Sequence, residues 1–596
     1  MERLALFAAL SAMAALPLLE IVLRALFGTG ISGVASLTQH GALAVGMLGA
    51  TVAARQERLL SLGIADAFLG GRALAFARDF GSAIAVCASA LLCLAGVHLV
   101  IAEYAGGRTI AYGIPVWAGQ AILPIGFAVI AWRLVANMTA GWPMRLLAAA
   151  LALIVAACAA SGLHPGMLAA YAAIALLLLA ALLGAPLFAA LGGIALVLFW
   201  AEGLPIASVA LDHYRLVVNP SLPMIPLFTL AGYFLAEGGA PRRLIRVFNA
   251  LFGGLRGGAA VVAVLACAFF TSFSGASGVT IIALGGMLMP LLLNAGYSQR
   301  HALGLLASSG SLGGLLPPGL PLVLYAIVAR VPMREMFLAG LVPCLLMLGL
   351  IAAWGYSRAP RPASSAPRHK VEWPEARAAL ADAKWELALP LIAFVGLFAG
   401  VATPVEAAAV TAAYAGVVEV FIHKDLDLRR DVPRVMTQCG LLVGGILLVL
   451  GVALGLSTYM VDARVPERLA QWVASAPGSR WTFLIALNLF LVAAGCVLDI
   501  FSAIVVLVPL VLPLGVAFGV DPLHLGIVFL VNMELGYLTP PVGMNLFFTA
   551  CRFDKPLREV VRAALPGLAV LGAGLALVTA LPWLSTGLPA LLGRLP

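Results

Sequence analysis

Apolar stretches of about 20 residues, the length a helix needs to cross the hydrocarbon core of a bilayer, recur along almost the whole 596-residue chain. Short polar segments separate them. Four such runs occupy roughly 4–27, 31–54, 80–102 and 117–139. Between the second and third, residues 55–79 carry Arg55, Glu57, Arg58, Arg72, Arg78 and Asp79 among apolar residues. That mixture predicts an interfacial amphipathic helix with its charges at the headgroups. GWPMR (141–145) and HPG (164–166) bracket one more run, 146–161, long enough for a single crossing between two modules. From about residue 167 onward apolar runs continue, but Pro and Gly interrupt them, and a Pro/Ser/Arg-rich segment (357–384) divides them. The pattern predicts an all-α polytopic membrane protein of about 15–17 membrane segments. Its expected parts are a four-helix module at 1–140, a connecting helix at 141–166 and a larger module at 167–596.

Composition agrees with this pattern. The chain is 63% hydrophobic and 10% charged, where a soluble domain has about 25% charged residues, and its mean hydropathy is +1.08. The strict alternation of an outer-membrane barrel is absent. The net charge of +9 does not point to nucleic acid, because the arginines cluster in short loops as cytoplasmic loops of membrane proteins do. The clearest loops are PRRLIR (241–246), HKDLDLRRDVPR (423–434) and RFDKPLREVVR (552–562). The opening MERLALFAAL resembles the start of a signal peptide, yet Glu20 and Arg24 follow it and no small-residue cleavage site stands out. A retained first span is expected. None of the eight cysteines forms a CxxC pair, so they read as small buried hydrophobes rather than a metal or disulfide framework.

The chemistry begins with two helix-breaking stretches, LLPPGLPLVLY (315–325) and LTPPVGMNLFF (538–548). Shifting the second module against itself by 223 positions aligns Pro317-Pro318 with Pro540-Pro541 and Gly313 with Gly536. The same shift aligns Pro290 with Pro513, Gly296 with Gly519, His301 with His524 and Pro343 with Pro566. An internal duplication follows, with hairpin repeats near 272–343 and 495–566. Proline removes a backbone donor and clashes with the preceding turn. Irregular backbone at membrane depth is tolerated only inside protein or beside water. Paired interruptions in two halves therefore point to the ion and substrate site of a secondary transporter, built from the tips or breaks of two re-entrant hairpins. A pair of kinked structural helices is the plainer alternative.

Several longer segments carry a family resemblance. SFSGASGVTIIALGGMLMPLLLNAGYSQRHALGLLASSGSLGGLLPPG (272–319), GVATPVEAAAV (400–410) and GVDPLHLGIVFLVNMELGYLTPPVGMNLF (519–547) are similar to the large membrane subunit of tripartite ATP-independent periplasmic (TRAP) transporters. RQERLLSLGIADAF and IPVWAGQAILPIGFAVIAWRLV (114–135) resemble its small membrane subunit. The resemblance implies a fused pair of subunits in the bacterial cytoplasmic (inner) membrane. It implies a periplasmic solute-binding protein that delivers a carboxylate-bearing solute, such as a C4-dicarboxylate, sialic acid or another sugar or organic acid. Na⁺ would be the coupling ion, with elevator-like movement and no organic cofactor. Carried over position by position, one sodium cluster would use Ser274, Ser277, Gly313, Leu316 and Pro318, and a second Gly495, Gly536, Thr539 and Val542. Carbonyl and hydroxyl oxygens suit such a hard cation. Two positions depart from the family's pattern: Gly319 stands where a serine is common, and Gly275-Ala276-Ser277 replaces a GSS.

Other polar residues in apolar surroundings carry two readings each. Asp499 either balances bound Na⁺ or holds a hairpin helix, and Glu534 shares its setting. Asn545 either meets a solute carboxylate or caps a broken helix, and Thr549 lies one turn further on. Asn545, Thr549 and Asp499 are the substrate candidates. Glu406 follows Thr-Pro and suits a helix N-terminus. Arg300 reads as a positive-inside residue, and the recurrence of His301 and His524 favours a shared structural role. An intramembrane serine protease is the enzymatic alternative, since GASG (275–278) fits a GxSG nucleophile and His301 follows. A channel or a non-transporting membrane scaffold is another. No Walker A motif exists, because none of the four lysines follows a glycine. Energy must then come from an ion gradient or another subunit.

Overall fold

The computed structural model describes residues 2–61, 69–139, 141–275, 277–360, 373–398, 402–465, 467, 468, 471 and 479–592. Among these the chain is helical, with two isolated β-bridges, Ser61 to Pro186 and Thr109 to Pro115. Among the described residues ten helices are long and apolar enough to cross a membrane, or eleven when one bent pair is counted as a single span, and seven shorter apolar helices accompany them. The chain is thus an all-α polytopic membrane protein. It forms two compact units, Met1–Pro226 with Met436–Leu469 and Val505–Leu510, and Leu227–Val435 with Ala470–Ile504 and Val511–Pro596.

The first unit opens with α1 (Glu2–Phe27), α2 (Val34–Arg55), α3 (Gly71–Gly106), α4 (Ile122–Asn137) and α5 (Trp142–Ala160). Glu2 joins the ends of three of them, accepting from Arg133 at 2.6 Å and lying 3.8 Å from Arg55. The amphipathic helix expected over 55–79 lies partly at 62–68, outside the described residues. Of the remainder, Arg72, Arg78 and Asp79 belong to α3, which runs 36 residues. Asp79 there accepts from Thr139 N–H and Oγ1, both at 2.7 Å. Glycine brings α2 against residues 440–444: a methyl at Gly49 would stand 2.0 Å from the Gly440 oxygen, and one at Gly444 2.4 Å from the Ala50 nitrogen. Small residues permit such backbone approach where lipid supplies no hydrophobic drive.

The second unit holds both PP stretches. Its elements are α6 (Ala240–Phe252), α7 (Gly258–Ser274), α8 (Ser277–Asn294), α9 (Gln299–Ser309) and α10 (Leu320–Ala329). After α11 (Lys384–Phe398) and α12 (Pro404–Val417) come α13 (Arg480–Gly495), α14 (Ile500–Ala517, of which Val505–Leu510 belongs to the first unit), α15 (Pro522–Gly536) and α16 (Met544–Phe553). The order of α7 to α10 and of α13 to α16 is the same: two helices around a short break, then two around a PP break.

The ends of these helices follow local chemistry. Ser298 caps α9 by accepting from His301 N–H, and Asp521 caps α15 by accepting from Leu523 and His524 N–H. His301 and His524 thus occupy the same third helical position in both segments. Thr403 and Glu406 form a reciprocal capping box at the start of α12. A further anchor lies at the basic helix α6. Arg243 is 12% exposed, bonds Glu386 of α11, lies 3.0 Å from Glu419 of the π-turn Val418–Ile422, and reaches Asp425 at 2.6 Å. Glu386 and Glu419 are wholly buried. One guanidinium thereby joins four segments of chain.

Candidate functional site

The first broken region starts where α7 ends. Gly275 adopts the left-handed conformation, φ +66°, which glycine supplies without a Cβ clash. The chain then re-enters a helix at Ser277; Ala276 lies outside the described residues. Ser274 and Ser277 are both buried. After α9 the backbone tightens into a 3₁₀ turn, Leu312–Leu315, passes the cis Pro317-Pro318 bond, and resumes as α10. The segments before and after the prolines meet at 45°. The chain therefore bends at this PP stretch without reversing its direction.

Glycine holds this region together. A methyl at Gly313 would lie 2.1 Å from the Ala268 oxygen, and one at Gly275 2.3 Å from Leu320. Gly275 thus packs on Leu320, and Gly313 on the end of α7. The Gly313 carbonyl accepts from Leu316 N–H at 3.0 Å and the Leu316 carbonyl from Gly319 N–H at 2.8 Å. A carbonyl has two lone pairs, so each keeps one for another partner. Thr271, which the sequence reading passed over, knits the region: its Oγ1 reaches Thr280 Oγ1 at 2.8 Å and the Gly310 carbonyl at 2.7 Å. Ser274 Oγ stands 3.4 Å from the same Thr280 hydroxyl.

The second region repeats this build. α13 ends at Gly495, and a methyl at Gly536 would stand 2.4 Å from the Gly495 carbonyl carbon. The Gly536 carbonyl accepts from Thr539 N–H at 2.9 Å, and Thr539 Oγ1 donates to the Leu535 carbonyl at 2.9 Å. Past the cis Pro540-Pro541 bond, Gly543 at φ +45° brings its N–H to the Cys496 carbonyl at 3.3 Å. Gly495, Gly536 and Thr539 thus gather around one break, with Val542 beside Gly543. Carbonyl and hydroxyl oxygens such as theirs are of the type hard cations take.

The remaining candidates fall in distinct settings. Asp499 is the N-cap of α14: its Oδ1 accepts from Phe501 and Ser502 N–H, each at 3.0 Å, and Ser502 Oγ donates to its Oδ2. The next residue, Ile500, donates its N–H to Tyr537 Oη at 2.6 Å, which ties this start to the second PP stretch. Asn545 is fully buried and donates from Nδ2 to the Ala307 carbonyl at 3.2 Å, linking α16 to α9. Its Oδ1 and the buried Thr549 hydroxyl have no hydrogen-bond partner among the described residues. Glu534 is buried as well, with Oε2 likewise unpartnered.

Residues 171–584 match the family model described as the tripartite ATP-independent periplasmic transporter, DctM component, and residues 13–144 match that of the DctQ component. The C4-dicarboxylate TRAP transporter large permease protein DctM of Rhodobacter capsulatus is 36% identical over 434 residues, covering 70% of this chain and 98% of that protein. The isethionate TRAP transporter permease protein DctMQ of Oleidesulfovibrio alaskensis is 29% identical over 480 residues, covering 79% of this chain and 74% of that protein. The sialic acid TRAP transporter large permease protein SiaM of Vibrio cholerae is 29% identical over 381 residues, covering 63% and 87%. The chain therefore belongs to the TRAP transporters as a fusion of their DctQ and DctM components, multi-pass inner-membrane carriers that work with an extracytoplasmic substrate-binding protein.

Proposed function

We propose that this protein imports a carboxylate-bearing solute, delivered by its extracytoplasmic binding protein, by sodium symport with elevator-type movement of the broken-helix repeats. The observation that carries the reading is the matched build of the two breaks. Each sets a helix-terminal glycine or serine against a second break whose carbonyls retain free lone pairs. The first site takes Ser274, Ser277, Gly313, Leu316 and Pro318; the second takes Gly495, Gly536, Thr539 and Val542. Na⁺ is the coupling ion in this reading, and each charge that crosses with the potential contributes about 2.3 kcal/mol per 100 mV.

Thr549 is the best-placed of the substrate candidates. A carboxylate only accepts hydrogen bonds, and the Thr549 hydroxyl has a proton to give. Asn545 commits one of its two amide N–H donors to Ala307 and keeps the other, whereas Asp499 is itself an acceptor already engaged by the start of α14. Asp499 positions the backbone around the solute. The named relatives carry C4-dicarboxylates, isethionate and sialic acid, so the solute is sought among small anions.

The protease alternative conflicts with the geometry. Ser277 is the first residue of α8 and His301 lies beyond its last, Asn294. Eighteen helical residues separate the two ends by about 27 Å at 1.5 Å per residue. His301 Nδ1 instead sits 2.9 Å from Ser298 Oγ.

The test is uptake of a labelled carboxylate panel into proteoliposomes, with and without the binding protein and an inward sodium gradient. The reading expects accumulation that requires both. Accumulation equal in sodium and choline would remove the coupling ion, and accumulation without the binding protein would remove that partner.

A further inference from the structure

Within the second unit, a cavity of about 450 Å³ opens between the start of α6, the middle of α8 and the end of α16. Its polar lining consists of Arg242, Arg552 and Glu237. Glu237 lies 3.4 Å from Arg434, which it shares with Asp431. The neighbouring acids Glu386, Glu419 and Asp425 are committed to Arg243. Arg242 and Arg552 are exposed, and neither forms an ion pair with a described residue. Two guanidinium groups without an ion-pair partner therefore face the cavity, beside the one carboxylate, Glu237, that Arg434 pairs.

The wall opposite α6 is shaped for this. Gly285 and Gly286 of α8 let Arg552 lie against the helix: a methyl at Gly286 would stand 2.2 Å from its Nη2. Both arginines come from the basic segments PRRLIR and RFDKPLREVVR, whose composition marks the cytoplasmic side. Arg552 also lies three residues past Thr549 on α16, so the cavity adjoins the helix that carries the best-placed substrate candidate.

We propose that Arg242 and Arg552 form a cytoplasm-facing anion site that receives the solute's carboxylate as it leaves α16. The proposal rests on the carboxylate-import reading above. Guanidinium groups bind carboxylate and phosphate with the same forked geometry, and a cleft lined by one sign of charge concentrates ions of the other. A lipid phosphate is the other source of the same chemistry.

Thiol labelling tests the site without a transported solute, and so separates its failure from failure of the import reading. Met287→Cys places a reporter in the cavity wall, with Ala283→Cys as a second reporter should the first fail to fold. Both are made on Cys551→Ser, which without a reporter supplies the background. In nanodiscs of phosphatidylcholine, reaction with an anionic methanethiosulfonate (the sulfonatoethyl reagent) is compared with that of the cationic trimethylammonium reagent, each relative to a free thiol. The site predicts an anion preference of about tenfold. The preference should disappear in Arg242→Gln/Arg552→Gln, survive in Arg242→Lys/Arg552→Lys, and fall in 0.5 M salt. Added succinate should slow the anionic reagent. No preference, or one unchanged in the double Gln variant, overturns the site. Slowing seen only when phosphatidylglycerol replaces part of the phosphatidylcholine overturns the solute assignment and gives the site to lipid.

Discussion

At Gly536 a single hydrogen in place of a methyl decides whether the second break can form. A Cβ there would stand 2.4 Å from the Gly495 carbonyl carbon, and backbone cannot swing aside as a side chain can. Gly536→Ala should destabilise the protein by about 1–3 kcal/mol, the usual cost of forcing atoms into a packed interior. Thermal unfolding in nanodiscs measures this. Thr539 makes the opposite kind of substitution. Its hydroxyl donates to the Leu535 carbonyl, which also accepts from Leu538 N–H; that carbonyl keeps a partner without it, so Thr539→Ala should leave unfolding nearly unchanged. The sodium concentration for half-maximal uptake should rise severalfold; an unchanged value would remove Thr539 from the site. Gly313, Gly536 and the paired prolines were legible because duplication marked them twice, whereas Thr539, which aligns with Leu316, and Gly495 came from the family resemblance. Thr271 and Thr280 were not, since two threonines nine positions apart in an apolar run meet only when the helix between them breaks at Gly275. The capping role of Asp499 was one of two readings open from the sequence, and it depends on where α14 begins.

Among the elements, the buried charges around Arg243 are the most sensitive joint. Arg243→Leu would leave Glu386 and Glu419 buried without their counter-charge. Breaking a buried pair from one side costs about 3–5 kcal/mol, so the variant should unfold well below the parent or fail to accumulate. Asp425 adds a pH dependence. Burial pushes its carboxyl up, but the hydrogen bond and charge of Arg243 outweigh this and hold it below the ordinary aspartate range. A depressed carboxyl contributes stability above its unfolded pKa and loses it as pH falls through the folded one. The stability difference between the parent and Asp425→Asn should therefore be constant near neutrality and shrink below about pH 3.8. A difference that stayed constant into that range would contradict the pairing. Element boundaries were partly legible. The apolar run from 80 onward showed α3, but its start at Gly71 did not, because charges at 72, 78 and 79 read as an interfacial segment. The PP stretches announced a break; the 45° bend at the first was visible only in the fold.

For the whole molecule, the composition and repeated spans already gave the polytopic helical class, and the resemblance gave the family. What the linear pattern did not show was the partition into compact units. Residues 436–469 join the first unit with residues 1–226, in part because Gly440 and Gly444 admit the backbone of α2. A contact between glycines some 390 positions apart leaves no trace in local hydropathy. The same limit applied to the cavity of Arg242 and Arg552, which read as two separate positive-inside loops until the fold brought them together.

The central claim is that the paired breaks are sodium sites, and it is tested most directly by the unfolding temperature of the purified protein in nanodiscs. The titration uses NaCl against KCl and choline chloride at constant ionic strength. A ligand that binds only the folded state stabilises by about 2.7 kcal/mol per site at a hundredfold excess over its dissociation constant. The account predicts a saturable rise specific to Na⁺, displaced to higher concentration in Thr539→Ala. Superimposable curves for the three cations would contradict it.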